Sequence, residues 1–147
     1  MKFFPVIILA VLCSFTLPHW QNNFEQAKQT ATAEHKYILL NFSGSDWCGP
    51  CIKMHKEILE SDVFTKYADE HLVLVNADFP RQKKNQLTAE QQKQNDQLAD
   101  RYNKEGSFPL TLLLTADGKV VKTWDGFPKE NADEFTNQVK LSINGGY

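Results

Sequence analysis

Cysteine is scarce in this chain of 147 residues, which contains only Cys13, Cys48 and Cys51. Cys13 lies in an apolar N-terminal segment, so a chain that loses this segment keeps two cysteines three positions apart. A pair so close in sequence cannot cross-link distant parts of a fold, which excludes a disulfide framework as the source of stability. The two remaining cysteines therefore point to chemistry.

The sequence also lacks an apolar run of the length that a transmembrane helix needs, about 20 residues. Residues 3–17 carry no charge and follow Met1 and Lys2, a pattern typical of a signal peptide. A short uncleaved N-terminal anchor is the alternative. We predict that residues 1–18 are a signal peptide or such an anchor and that the protein is exported to the periplasm of a bacterial envelope. Contact with the membrane is expected only through that anchor.

An excess of charge of one sign is also missing. The formal net charge is -2, and the basic residues form no long run. No nucleic-acid partner is expected, because such a partner attracts clustered lysine and arginine. The composition, 41% hydrophobic and 23% charged, is ordinary for a globular protein. The length allows one domain, over residues 19–147.

Hydrophobic spacing predicts an alternation of helices and buried strands. Asp117 and Gly118 form a strong two-residue hairpin signal. Residues 91–97 are almost wholly polar, so the helix that contains them is expected to pack only by its ends. This order predicts an α/β sandwich with helices over a mixed sheet. The predicted helices are 20–34, one from Cys48, 61–67, 88–102 and one ending near 144, and the predicted strands are 37–42, 72–75, 110–115 and 120–124.

The motif that carries the chemistry is Trp47-Cys48-Gly49-Pro50-Cys51, between a predicted strand and a predicted helix. The start of a helix has unpaired N–H groups and a partial positive charge, which lower the pKa of a thiol placed there. Two intervening residues let the second sulfur reach the first. Glycine permits the tight turn, and proline fits the first turn of a helix. We predict an accessible, reactive thiol at Cys48.

These residues resemble the thioredoxin superfamily over positions 20–143. The resemblance rests on the motif and on Gly106-Ser-Phe-Pro-Leu110, where Pro109 matches a cis-proline that lies against the redox disulfide. Gly126 is similar to a glycine of the substrate groove. Residues 60–78 are similar to the C-terminal domain of the transmembrane thiol:disulfide interchange protein. The implied fold is a thioredoxin-like three-layer sandwich, a mixed central sheet flanked by helices.

The resemblance implies a thiol–disulfide oxidoreductase that needs no cofactor and no metal, because the dithiol is the reagent. Its partners are disulfide-bearing protein substrates and an upstream protein electron donor, and the Gly-Pro dipeptide favours reduction over oxidation or isomerisation. A non-enzymatic adaptor with the same fold is the alternative, and a metal site on Cys48, Cys51 and His55 is a weaker one. The implied catalytic residues are Cys48 and Cys51, and the implied substrate-binding residues are Trp47, Gly49, Pro50, Phe108 and Pro109.

Three positions depart from the family pattern. Asn41 stands where relatives carry a buried aspartate, and Leu74 stands where they carry its lysine partner. An amide cannot take the proton of Cys51, so another base or water is needed, and Asp46 and Glu57 are the candidates. Lys56 replaces a helix-kinking proline, which predicts a straighter helix after the motif.

Overall fold

The computed structural model describes residues 19–145, and the predicted signal peptide or anchor lies outside them. The chain builds one five-stranded sheet in the order β1-β3-β2-β4-β5. The strands are β1 (Trp20–Gln21), β2 (Tyr37–Ser43), β3 (Leu72–Asp78), β4 (Leu110–Leu114) and β5 (Val120–Asp125), and the helices are α1 (Phe24–Glu34), α2 (Gly49–Met54), α3 (Asp62–His71), α4 (Ala89–Tyr102) and α5 (Ala132–Asn144).

The sheet is mixed, as the sequence predicts. The central strand β2 runs parallel to β3, with Asn41 opposite Asn76, and antiparallel to β4, with Asn41 opposite Thr111. Side chains of a strand alternate between the two faces of the sheet. Ile38 and Leu40 pack with α1 and α4, whereas Leu39 packs with α2, α3 and α5. The two apolar clusters fill the spaces between the sheet and the helices on each of its faces, which gives three layers. By the same alternation, Asn41 faces the side of α2.

The first predicted helix begins later than expected. Trp20 and Gln21 form the short strand β1, which pairs with Leu74 and Val75 of β3. Helix α1 starts only after Asn23, whose side chain accepts the N–H of Gln26. The apolar spacing of Trp20 fitted a helix, but an asparagine cap stops the helix from extending back to it.

The helix that follows the motif is not the regular, straighter helix expected from Lys56. Helix α2 ends at Met54, and His55–Leu59 continues with π-helical hydrogen bonding. Lys56 lies inside this irregular segment, so a lysine at that position does not give a regular α-helix. A π-helical turn widens the backbone by one residue and is often found at functional sites. It brings Ile58 and Leu59 together into the apolar cluster on this side of the sheet.

Helix α4 does not pack only by its ends. Asn95, in its polar middle, is 1% exposed, and its amide donates to the backbone oxygen of Asp78 at 2.8 Å. Gln91 and Gln94 donate to the backbone oxygen of Asn22 at the entry to α1. A hydropathy pattern detects only apolar contacts. It overlooks these contacts because they are hydrogen bonds from polar side chains to backbone oxygens.

The remaining boundaries follow the sequence closely. Thr88 caps α4, Asn131 caps α5 with a full capping box, and Gly118 takes φ 89° in the β4–β5 turn. Residues 79–87 form a connector that contains one short 3₁₀ turn, Lys83–Asn85. Within residues 19–145, every helix is too short or too polar to cross a membrane.

Candidate active site at the Cys48–Cys51 disulfide

The two cysteines of the motif are joined in a disulfide at the start of α2, with their Cα atoms 5.2 Å apart. Cys48 is the N-cap residue of α2, and its sulfur accepts the backbone N–H of Cys51 at 3.3 Å. Gly49 and Pro50 occupy the exposed first turn. Cys48 is only 5% exposed and Cys51 4%, so in this disulfide state Cys48 is far less accessible than predicted.

Trp47 is half-buried and has partners on several sides, and its contact with a substrate stays a prediction. Its indole N–H donates to the backbone oxygen of Phe79 at 2.7 Å. The Phe108 ring meets it edge-on at 5.5 Å, and the Arg81 guanidinium lies 3.7 Å from its centre. Gly44 lies directly under the indole, where any Cβ would overlap the ring. Phe79 also packs edge-on against Phe108, so three aromatic rings form one wall beside Cys48.

Asp46, one of the two bases suggested by the sequence, holds the connector in place. Its carboxylate accepts the N–H groups of Arg81 and Gln82 and the side-chain amide of Asn85, each at 2.9 Å. The N–H of Arg81 and then the amide of Asn85 hold the pKa of Asp46 below its usual value. These bonds fasten the connector to the active-site loop. The basic residues 81, 83 and 84 are exposed as predicted, but Arg81 is also part of the Trp47 contact.

The strand β4 begins beside the wall formed by the rings of Trp47, Phe79 and Phe108. The peptide bond between Phe108 and Pro109 is cis, as the resemblance implied. The Pro109 oxygen accepts the N–H of Gly126 at 2.8 Å, and Gly126 takes φ 79°. Glycine is favoured at this positive φ. Phe108, Pro109 and Gly126, which the sequence placed together in a groove, are therefore neighbours in the fold.

Several polar residues lie on the same side of the sheet as Cys51. Asn41 is 3% exposed, and its amide donates to the Thr111 hydroxyl at 2.9 Å. A cavity of 380 Å³ lies against Cys51, and its walls include His55 and Asn76. Glu57, the second suggested base, is not among the cavity residues and is more than half exposed, 4.0 Å from Lys53.

Asp78 is a site residue that the sequence interpretation missed. Its carboxylate accepts the backbone N–H of Ser45 at 2.9 Å and the hydroxyls of Ser43 and Ser45. It therefore fixes the loop that leads from β2 to the motif. The available signal was its position at the end of a parallel strand next to β2, the edge where loops meet in such sheets.

The alternative of a metal site requires a cluster of ligand side chains, and the part of the chain that the structure describes contains none. No three histidine, cysteine, aspartate or glutamate side chains over residues 19–145 are grouped so that they could hold an ion. Cys48 and Cys51 are bonded to each other, and His55 instead faces Glu60 at 3.4 Å.

Comparisons with known proteins agree with the fold. A sequence model of the thioredoxin-like domain matches residues 24–141. Disulfide bond reductase DsbH of Chlamydia pneumoniae is 36% identical over 124 residues, which cover 84% of this chain and 72% of that protein. A solved structure of a DsbH oxidoreductase superposes with a TM-score of 0.79 at 33% identity, covering 88% of this chain and 86% of the other.

The oxidised C-terminal domain of Neisseria meningitidis DsbD superposes with a TM-score of 0.54 at 22% identity, covering 80% of this chain and 90% of the other. At that identity it shows a shared fold. The match of the family model, the identity with a disulfide reductase and a cysteine pair at bonding distance lead to one conclusion. The chain belongs to the thioredoxin-like domain family and is a thiol–disulfide oxidoreductase.

Proposed function

We propose that this protein is an exported protein-disulfide reductase in which Cys48 is the attacking thiol and Cys51 the resolving thiol. One observation carries the proposal: the Cys48 sulfur caps α2 and accepts the N–H of Cys51. In the reduced protein the same N–H would stabilise a thiolate at Cys48, which is the reactive form of cysteine.

The proposed reaction transfers two electrons from the dithiol to a substrate disulfide. The Cys48 thiolate attacks one sulfur of the substrate, and the substrate disulfide breaks to give a mixed disulfide and one substrate thiolate. Cys51, as a thiolate, then attacks the Cys48 sulfur. The Cys48–Cys51 disulfide forms, the mixed disulfide breaks, and the second substrate thiolate leaves. A dithiol of another protein returns the pair to its reduced form.

The substrate chain is proposed to lie along the wall formed by Trp47 and Phe108. Main-chain pairing of an extended segment with an exposed edge is a common mode of peptide recognition. The Pro109 oxygen is engaged by Gly126, so the pairing is assigned to the backbone of Phe108. Gly49 and Pro50, which are exposed beside the disulfide, complete the contact surface.

Reduction is preferred to oxidation for two reasons. The Gly-Pro dipeptide resembles that of reducing thioredoxins, and the relative DsbH is named a disulfide bond reductase. Export is supported by the apolar segment at residues 3–17. Disulfides form and persist outside the cytoplasm, so an exported reductase finds substrates there.

The test compares the two single cysteine variants in an insulin-reduction assay and in covalent capture from cells. Cys48→Ser should abolish both reduction and capture. Cys51→Ser should also lose turnover but accumulate mixed disulfides, because the resolving thiol is absent. The reduction potential of the pair decides the direction, and a value near that of thioredoxin, about -270 mV, is expected of a reductase. Binding without turnover by the wild-type protein would contradict the proposal and favour an adaptor, and a potential near -120 mV would favour an oxidant.

A further inference from the structure

The cavity against Cys51 has both polar and apolar walls, is open to solvent on one side and has room for several water molecules. Its volume of 380 Å³ far exceeds the roughly 30 Å³ that one molecule takes in liquid water. Ser43, Ser45, His55, Glu60 and Asn76 contribute polar side chains to its walls. Water enters a site that is roomy and offers polar partners, and these side chains offer several.

A second observation points to water at the same place. Asn76 lines the cavity, and its Oδ1 is buried without a hydrogen-bond partner among the described residues. A buried acceptor that stays unpaired destabilises the fold, and ordered water can supply the missing partner. Asn76 lies beside Asn41 in the parallel β2–β3 pair. The water thus belongs on the α2 side of the sheet, behind Cys51.

The resolving step needs an acceptor for the Cys51 proton. The buried amide of Asn41 in β2 donates to Thr111 and cannot take a proton. Asp46 is occupied by the connector, and Glu57 lies outside the cavity. His55 lines the same cavity as Cys51, and an imidazole changes its charge between pH 5 and 8.

We infer that His55 takes up the proton of Cys51 through the water of this cavity, and so sets the rate at which the mixed disulfide is resolved. The inference rests on the proposed roles of Cys48 and Cys51. In this inference His55 acts on Cys51 only through water, so it is a positioning residue.

The groups around His55 suit this role. The Glu60 carboxylate is 3.4 Å from its Nε2, so a proton taken up there would face an opposite charge. Lys56 is the cationic neighbour on the same cavity. From β1 the Trp20 ring packs against the imidazole at 5.5 Å and brings no charge. From β3 the only charged group near the cavity is Asp78, whose carboxylate is held by Ser43 and Ser45.

The proton and the electrons are accounted for. The Cys51 thiol gives its proton to water, and the water passes a proton to His55, which becomes an imidazolium. The Cys51 thiolate attacks the Cys48 sulfur, the new disulfide forms, and the partner leaves as a thiolate. His55 then returns its proton to the leaving thiolate or to solvent, and no external oxidant or reductant is consumed.

The experiment uses the reduced protein and the aromatic disulfide DTNB, which releases one coloured thiolate at each step. The first release reports attack by Cys48, and the second reports resolution by Cys51. His55→Gln should slow the second release about tenfold at pH 7, at the low end of general-base effects because solvent competes. It should also remove the change of that rate between pH 5.5 and 8. The first release should stay within about twofold of wild type, because the N-cap environment of Cys48 is untouched.

Two matched variants separate a proton role from a structural one. His71→Gln removes a histidine of similar exposure that also faces a glutamate, Glu70 at 3.6 Å, and should change neither release. Glu60→Gln breaks the ion pair of His55 but keeps the imidazole, so the second release should keep its pH dependence. A second release that is unchanged in His55→Gln, or lost equally in Glu60→Gln, overturns the inference alone. A wild-type protein without the first release overturns the proposed function as well.

Discussion

The two sides of the Cys48–Cys51 disulfide are lined by different kinds of side chain. Beside Cys48 stand the aromatic rings of Trp47 and Phe108, held by the connector and by the indole hydrogen bond to Phe79. Behind Cys51 lie a hydroxyl, an amide and an imidazole around a cavity. Attack on a substrate needs a rigid surface that excludes water, and resolution needs a route for a proton. The difference fits the tasks that we propose for the two sides.

The largest expected effect comes from removing the aromatic wall. Trp47→Ala deletes the contacts with Phe108 and Arg81 and should lower kcat/KM for a protein disulfide about thirtyfold, the equivalent of about 2 kcal/mol for an aromatic hot spot. Steady-state reduction of insulin measures it. Trp47→Phe keeps a ring and loses only the N–H donor, so it should keep most of the activity. Equal losses in both variants would show that the hydrogen bond to Phe79, and not the ring surface, matters.

The next prediction tests how the Trp47 indole packs against Gly44. A Cβ on Gly44 would overlap the Trp47 ring, whereas a Cβ on Gly49 would meet no atom within 4 Å. Gly44→Ala should therefore destabilise the fold by about 1–3 kcal/mol, the usual cost of overpacking. Gly49→Ala is the matched control and should leave the denaturant midpoint unchanged. Similar midpoints for the two variants would mean that the indole moves aside without cost.

On the Cys51 side, Asn41→Asp places a carboxyl where the wild type has a buried neutral amide. Burial would raise the pKa of this carboxyl above its unfolded value, so the variant matches wild type at low pH and loses stability as pH rises through the folded pKa. We expect a loss of about 1–3 kcal/mol at neutral pH, measured by urea unfolding between pH 3.5 and 8. Thr111→Val removes the partner of Asn41 without adding charge and should show no such pH dependence. A flat profile for Asn41→Asp would mean that water reaches this position.

The smallest effect concerns the connector. Asp46→Asn removes the charge that accepts the N–H groups of Arg81 and Gln82 and should increase trypsin cleavage after residues 81, 83 and 84 a few-fold. Asp100→Asn, an exposed change on α4, is the control and should leave the cleavage rate unchanged. Because bonds from Arg81 and Asn85 lower the pKa of Asp46, the anchor holds at neutral pH. It weakens only as the pH falls below the ordinary range of aspartate, about 4. Trp47 fluorescence should report that loss, and a change near neutral pH would contradict the assignment.

The sequence was sufficient for the redox pair and for most strands and helices, because these depend on local patterns. The motif, the turn at Gly118 and the caps Thr88 and Asn131 each act within a few residues. The short strand β1 was missed because two residues carry no periodicity, and only pairing with β3 defines them.

The supporting polar contacts were not predictable from pattern. Asp46 looked like a base because it is an acid near the motif, yet its partners lie about 35 residues away. His55 lies four residues after Cys51 in sequence, but its relation to the cavity depends on the π-helical segment and on β3. Such contacts are decided by tertiary packing, which single-sequence spacing does not encode.

The amide of Asn95 has a consequence that reaches beyond helix α4. It holds the backbone of Asp78, and the side chain of Asp78 holds Ser45 in the loop before the motif. A chain of hydrogen bonds therefore joins α4, on one face of the sheet, to Ser45 in the loop that leads to Cys48. The position of that loop depends in part on a helix that contributes no residue to the disulfide.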